Sequence, residues 1–279
     1  MMMDPRITLL RDGIASRGLE GRVEAEVYLD PTPMSCAVPA TGILRAPDAT
    51  SEQMDQLLFG ERFDVLEEDG GFYLGQACRD GYVGYVAKAA LGPLAPLPTH
   101  RVAALRTYAF EGPSIKSRAL LALSLNSLVT VEAQEGRLAK VAGAGWVAAE
   151  HLIPVGRFEE DPAAVALRFL GAPYLWGGRE SLGLDCSGLV QQALTACGLA
   201  CPRDTDQQQD IGHGIAPEEF GRGDLVFWKG HVAVGLGEGR IVHANASHMM
   251  TAVEPLADAI ARPAYGQPTA YRRVVWSAA

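Results

Sequence analysis

The sequence predicts an α+β protein with an all-β front half, on three observations. Residues 37–92 and 102–147 break into short apolar strand candidates separated by Gly and Asp turns. Residues 161–170 and 185–197 carry apolar side chains at helical spacing. Further strand candidates follow at residues 224–228, 232–236 and 240–244. Helices followed by strands within one segment indicate an α+β domain from about residue 156 to the end.

Taken in order, residues 1–32 are expected to form an N-terminal arm with one short strand at residues 23–29. Residues 33–97 form a first small barrel, with strands at 62–66, 72–78 and 82–87 around turns at Asp69-Gly70-Gly71 and Asp80-Gly81. The proline-rich run at residues 91–98 is a semi-rigid linker. Residues 98–156 form a second barrel, with strands at 102–110, 128–132, 137–141 and 145–147. The two stretches rhyme: Gly84-Tyr85-Val86 followed by Leu91 matches Gly145-Trp146-Val147 followed by Leu152, which suggests a duplicated unit. The last domain, residues 157–279, opens with a helix capped by Asp161 with Pro162 at its first position. Its second helix presents Leu189, Val190, Ala193, Leu194 and Cys197 on one face, and Gly198 stands where a stop is expected.

Bulk properties remove some function classes. The chain has 279 residues and a formal net charge of -9, which argues against nucleic acid as its partner. No apolar run approaches the ~20 residues that span a membrane. The N-terminus lacks a basic start followed by an apolar core, so the expected location is cytoplasmic, with no membrane partner. The cysteines are Cys36, Cys78, Cys186, Cys197 and Cys201, an odd set at irregular spacing, so reduced thiols are expected. Cys197, Cys201 and His213 match no standard zinc spacing, and no metal or other cofactor is expected.

Cys186 differs from the other thiols. It falls in the first turn of the helix over residues 185–197, where unpaired N–H groups and the helix dipole favour an anion. A thiol there, beside an imidazolium, is expected to titrate below its reference value of about 8.5. The glycines around it allow close backbone approach, and helix-start N–H groups suit an oxyanion. His231 and His243 lie on two strand candidates joined by Gly237-Glu238-Gly239. A three-residue turn makes Leu236 face Arg240 and Ala233 face His243, so that His231 is the diagonal neighbour of His243, about 7–8 Å away by backbone. A two-residue turn puts the histidines on opposite faces. In the first register His231 is the base and His243 orients it.

Six motifs carry a resemblance: Gly171-Ala-Pro-Tyr-Leu-Trp-Gly-Gly178, Leu184-Asp-Cys-Ser-Gly-Leu-Val190, Pro202-Arg-Asp-Thr-Asp-Gln-Gln208, Gly223-Asp-Leu-Val-Phe-Trp228, His231-Val-Ala-Val234 and Ile241-Val-His-Ala-Asn245. In this order, over about residues 160–275, they resemble the NlpC-type cell-wall cysteine peptidases, papain-like enzymes that cut peptidoglycan stem peptides. The resemblance implies Cys186 as nucleophile, His231 as base and His243 as the orienting third member. It also implies that the two upstream stretches are bacterial SH3-like barrels.

Two barrels, a short linker and no leader resemble the subgroup that cleaves free murein peptides between γ-D-glutamate and a diamino acid, when the stem begins with a free L-alanine. In that subgroup acidic and tyrosine groups bind the free amine. By position this implies Asp185, with Tyr85 and Glu61 from the first barrel. Tyr174 fits the tyrosine found near the nucleophile in the family, and Ser187 is a further substrate-binding candidate. Arg203 and Thr205 either meet a substrate carboxylate or anchor the turn before the next segment. The alternatives are an exported hydrolase of intact peptidoglycan, an acyltransferase or amidase of the same fold, and a wall-binding module with a dead catalytic domain. The last is disfavoured because all three catalytic residues are present.

Overall fold

The computed structural model describes residues 3–275 and divides into two compact units, Met1–Val155 and Gly156–Ala279. The first unit is all β apart from short 3-10 turns. Its N-terminal arm is more ordered than expected. Leu10–Arg11 pairs with Ile14–Ser16, which runs parallel to Val27–Leu29. This small sheet exists because Leu9, Ile14 and Leu29 have an apolar surface to cover, packing on Leu66, Leu74, Val83 and Tyr85. Complete burial of one such side chain contributes about 1.5–3 kcal/mol.

The first barrel is a seven-stranded sheet that runs from Leu91–Pro93 through Thr32–Cys36, Arg62–Asp69, Phe72–Ala77, Val83–Ala87 and Ala40–Leu44 to Gln53–Leu58. Ile43, Leu57, Phe63, Tyr82 and Val86 fill it. A second core holds Val102, Ala109, Leu123, Val129, Val141 and Val147, and takes Phe59 from the end of the first barrel's last strand. The rhyme in the sequence has a structural counterpart. Val83–Ala87, a 3-10 turn and Leu91–Pro93 recur as Gly145–Ala148, a 3-10 turn and Leu152–Pro154. The join is tight at Gly60, whose φ is +78°, where a Cβ would stand 2.0 Å from the Leu128 carbonyl oxygen. Of the proline-rich run, Leu91–Pro93 is recruited as an edge strand on Thr32–Cys36, and residues 94–98 alone are irregular.

The second unit is α+β. Its six-stranded sheet runs His213–Gly214, Ala270–Arg273, Leu225–Trp228, His231–Gly237, Arg240–Asn245, Met250–Pro255. The helix Pro162–Leu167 is capped by Asp161, whose carboxylate accepts from the N–H groups of Ala163 and Ala164. It stops three residues short of the expected end, passing into turns before Gly171. The helix Cys186–Ala196 is capped by Asp185 and packs on the strands His231–Gly237 and Arg240–Asn245. Leu189, Val190, Ala193 and Leu194 are fully buried there.

The hairpin between the two histidine strands corrects the expected turn. Gly237 pairs with Arg240 across the two-residue turn Glu238-Gly239, both at positive φ. Left regular, that turn would put the histidines on opposite faces. However, a bulge leaves Leu236 unpaired, and Gly235 then faces Ile241 and Val234 faces Val242. Continued by one residue, this register sets Ala233 opposite His243 and keeps His231 on the same face.

Candidate active site

The site is built where the N-terminus of Cys186–Ala196 meets the first residues of His231–Gly237. Cys186 is buried, and the backbone N–H of Val232 is close enough to its Sγ to favour the thiolate. Thr205 Oγ1 lies 3.8 Å from the same sulfur. The helix start can come this close to the chain before it because residue 188 is glycine. A Cβ on Gly188 would stand 2.2 Å from the carbonyl oxygen of Gly178. Gly178 is packed as closely, with a Cβ there falling 2.5 Å from the Gly183 carbonyl oxygen. The Leu-Trp-Gly-Gly and Cys-Ser-Gly segments therefore interlock backbone to backbone.

His231 follows on from the thiol. Its Nε2 lies 2.8 Å from His243 Nδ1. His243 Nε2 in turn lies 2.8 Å from Glu254 Oε1, a close contact whose angle falls short of a hydrogen bond. The Arg262 guanidinium grips both oxygens of Glu254, at 2.9 and 2.8 Å. Tyr265 stacks on the His231 ring with centroids 4.5 Å apart and planes 7° from parallel, and Arg262 sits over the other ring, 5.3 Å from the Tyr265 centroid.

Burial governs the electrostatics. It pushes the Cys186 thiol up to about 11, helped by the charge of Asp185 and opposed by the Val232 N–H, Thr205 and Arg203. Burial and the neighbouring His243 take His231 down to about 3, and burial takes His243 down to about 4 against the pull of Glu254. The expected low-pKa thiolate is thus corrected for the resting site. Helix-start stabilisation is outweighed by desolvation, and at neutral pH thiol and imidazole are both uncharged. Burial also raises Glu254, but its bonds to Arg262 and the nearby His243 outweigh this, and its carboxyl titrates below the usual range.

Several expected substrate contacts are spent inside the protein. The Asp185 carboxylate accepts from the Gly188 N–H, Ser187 Oγ, the Gly177 N–H and two nitrogens of Arg203. A carboxylate offers about four lone-pair sites, so Asp185 is filled as a helix cap, and the expected amine-anchor role finds no support in this arrangement. Arg203, 1% exposed, is the buried partner of Asp185 and Ser187. Of the two readings of that turn, the anchoring one fits. Thr205 starts the short helix Thr205–Gln208 and faces the thiol. Tyr174 bridges Leu184, two residues before Cys186, and burial, then the thiol and Asp185, raise its phenol above the usual value.

Within the first unit, Glu61 accepts from the Leu58 N–H and pairs with Arg79, which also holds Asp55 and Asp80. Its carboxylate already has partners. Tyr85 is packed in the cluster beneath the N-terminal arm.

Glu254, Arg262 and Tyr265 escaped the sequence reading. The available signal was a charge at an alternate position of the strand Met250–Pro255. There Ala252 faces His243, and Glu254, two residues on, reaches the same ring diagonally. Ring nitrogens of His243 and His248 and the Glu254 carboxylate also lie within 4.8 Å of one another, a donor set of metal-ligating type, with Glu254 already engaged by Arg262.

Comparisons with known proteins show what the chain is similar to. Residues 171–268 match the NlpC/P60 family, and residues 43–91 match the bacterial dipeptidyl-peptidase SH3 domain. The chain is 31% identical over 210 residues to the γ-D-glutamyl-L-lysine dipeptidyl-peptidase of Bacillus subtilis (strain 168), covering 68% of this chain and 71% of that one. It is 27% identical over 226 residues to dipeptidyl-peptidase 6 of Lysinibacillus sphaericus, covering 71% and 82%. The crystal structure of an NlpC/P60 family protein from Bacillus cereus matches with TM-score 0.76 at 20% identity, over 88% of this chain and 100% of that one, a likeness of fold.

Proposed function

This chain belongs to the NlpC/P60 family of cysteine peptidases, and from that premise we propose that it hydrolyses the bond between γ-D-glutamate and a diamino acid in murein stem peptides with a free N-terminal L-alanine. One observation carries the reading. The buried Cys186 sulfur lies by the backbone of Val232, the residue next to His231, and His231 is held 2.8 Å from His243.

The chemistry follows from these positions. As the substrate carbonyl approaches, the Cys186 proton passes to His231 and the sulfur attacks the γ-carbonyl carbon. N–H groups of the helix start stabilise the oxyanion, the one at Gly188 being committed to Asp185. The imidazolium then protonates the departing amine of the diamino acid. Water resolves the thioester, releasing L-Ala-γ-D-Glu and restoring the thiol. A site in which neither thiol nor base is charged at rest makes the proton transfer part of the approach to the transition state. Tyr174, whose phenol stays protonated beside the thiol, is the substrate contact we assign in this unit.

The relatives' names, a γ-D-glutamyl-L-lysine dipeptidyl-peptidase and a dipeptidyl-peptidase, support a short peptide cut two residues from a free amine. Recovery of such peptides in the cytoplasm is the role we assign. The test is hydrolysis of L-Ala-γ-D-Glu-L-Lys and its diaminopimelate counterpart, with Cys186→Ala as control. Retained turnover by Cys186→Ala rejects the mechanism. Unchanged turnover of the N-acetylated peptides rejects amine selectivity, and faster action on intact sacculi than on free tripeptide favours a wall hydrolase.

A further inference from the structure

The contacts around the two histidines close on themselves. His231 bonds to His243, His243 meets Glu254, Glu254 is gripped by Arg262, Arg262 covers Tyr265, and Tyr265 lies flat on His231. The ring draws on separate elements: the paired strands of the sheet, the helix Leu256–Ala261 that leads to Arg262, and the turn that carries Tyr265. Glu254 is 8% exposed and His243 fully buried, so water does not substitute for these partners.

Two imidazoles in series can hold their protons in either of two directions, and only one of them makes His231 a base. Glu254 is an acceptor when ionised, and Arg262 keeps it so. His243 then carries its proton on Nε2, toward Glu254. Its Nδ1 is an acceptor, and His231 must donate from Nε2. That leaves Nδ1 of His231 as the ring nitrogen with a lone pair for the Cys186 proton. With a donor in place of Glu254 every proton shifts to the other side. Nδ1 of His231 then carries hydrogen and cannot accept.

We propose that Glu254, clamped by Arg262, is a positioning residue that sets the direction of the proton chain through His243 to His231, and that Tyr265 holds the His231 ring in plane. This rests on the reading of Cys186 and His231 as nucleophile and base. The charged and titratable groups facing the pair are Cys186, Glu254, Arg262, Tyr265 and His248.

Steady-state kinetics on L-Ala-γ-D-Glu-L-Lys test it in the full chain. Glu254→Gln places an amide N–H against His243 and is expected to lower kcat by about a hundredfold or more with KM within about threefold, since a wrong histidine tautomer is costly. Glu254→Asp, which keeps the acceptor, recovers part of that loss. Tyr265→Phe keeps the stacked ring and stays within about threefold of wild type, whereas Tyr265→Leu loses about tenfold in kcat. Nitrogen-15 NMR of the histidines in the wild-type protein reads the tautomers without any variant: the proposal requires His231 protonated on Nε2 and bare on Nδ1 at pH 7. A His231 found protonated on Nδ1 overturns it, as does Glu254→Gln with wild-type kcat, or equal losses in the Gln and Asp variants. An active Cys186→Ala instead removes the reading beneath it, so the two failures are distinguishable.

Discussion

Nε2 of His231 lies 2.8 Å from Nδ1 of His243, and the two reach each other across a hairpin that carries one unpaired residue, Leu236. The bulge reconciles a two-residue turn with histidines on one face. Deleting Leu236 leaves Gly237 facing Arg240 and Gly235 facing Ile241, so the histidine register survives. This deletion is expected to keep kcat within about an order of magnitude, since it regularises the ladder. Inserting one alanine after Ala233 moves His231 to the opposite face and abolishes turnover. Peptide hydrolysis by the two variants, with circular dichroism to verify folding, decides it; an active insertion variant refutes the register argument.

The resting protonation state makes a second prediction. With Cys186 raised to about 11 and His231 lowered to about 3, the free enzyme holds a neutral pair. Alkylation of Cys186 by iodoacetamide, followed at that residue by mass spectrometry, should accelerate about tenfold per pH unit between pH 7 and 10. A preformed thiolate–imidazolium pair would give a rate flat across that range, and that result would count against the neutral resting site.

The Asp185–Arg203 pair is expected to matter for stability more than for substrate affinity. Both side chains are buried, and removing one charge strands the other. Arg203→Met should destabilise the protein by about 3–5 kcal/mol, and Asp185→Asn by a similar amount. The double variant should recover much of the loss, because no unpaired charge remains. Denaturant unfolding of the four proteins measures the coupling. Additive losses would mean the pair is not the unit drawn here.

How far these features were legible depends on how local their causes are. The helix Cys186–Ala196 could be read because its cap, apolar face and stop all lie within fourteen residues. The alternating barrel strands and their repeated Gly-aromatic-Val signature were local too. The sheet partner of His243 was not: Met250–Pro255 is a short strand with no strong alternation, and Glu254 gains meaning only from pairing with Ile241. Tyr265 sits in a turn whose place over His231 is set by tertiary packing. The partners of Asp185 were hidden for a related reason. Its nearest neighbours suggested a free acid beside the nucleophile, while the residue that neutralises it, Arg203, lies eighteen positions on. The thiol pKa was misjudged because a helix start is visible in sequence and the depth of its burial is not.

The two histidines also tie stability to pH. Both are depressed in the folded state, His231 to about 3 and His243 to about 4, by burial first. Below the ordinary imidazole value of about 6.5 the unfolded chain therefore binds protons that the folded one refuses. Stability then rises with pH, so the contribution of this pair is complete above about pH 6.5 and drains away as pH falls toward 3–4. The loss across that window is expected to be on the order of a few kcal/mol. Carboxylates such as Glu254 titrate nearby, so the imidazole share is isolated by comparison with His243→Asn, which removes one of the two titrating rings. Urea unfolding at pH 7.5, 6 and 4.5 should show a shallower pH dependence for that variant than for wild type. Parallel pH profiles for the two proteins would show that His243 is not held neutral by the fold.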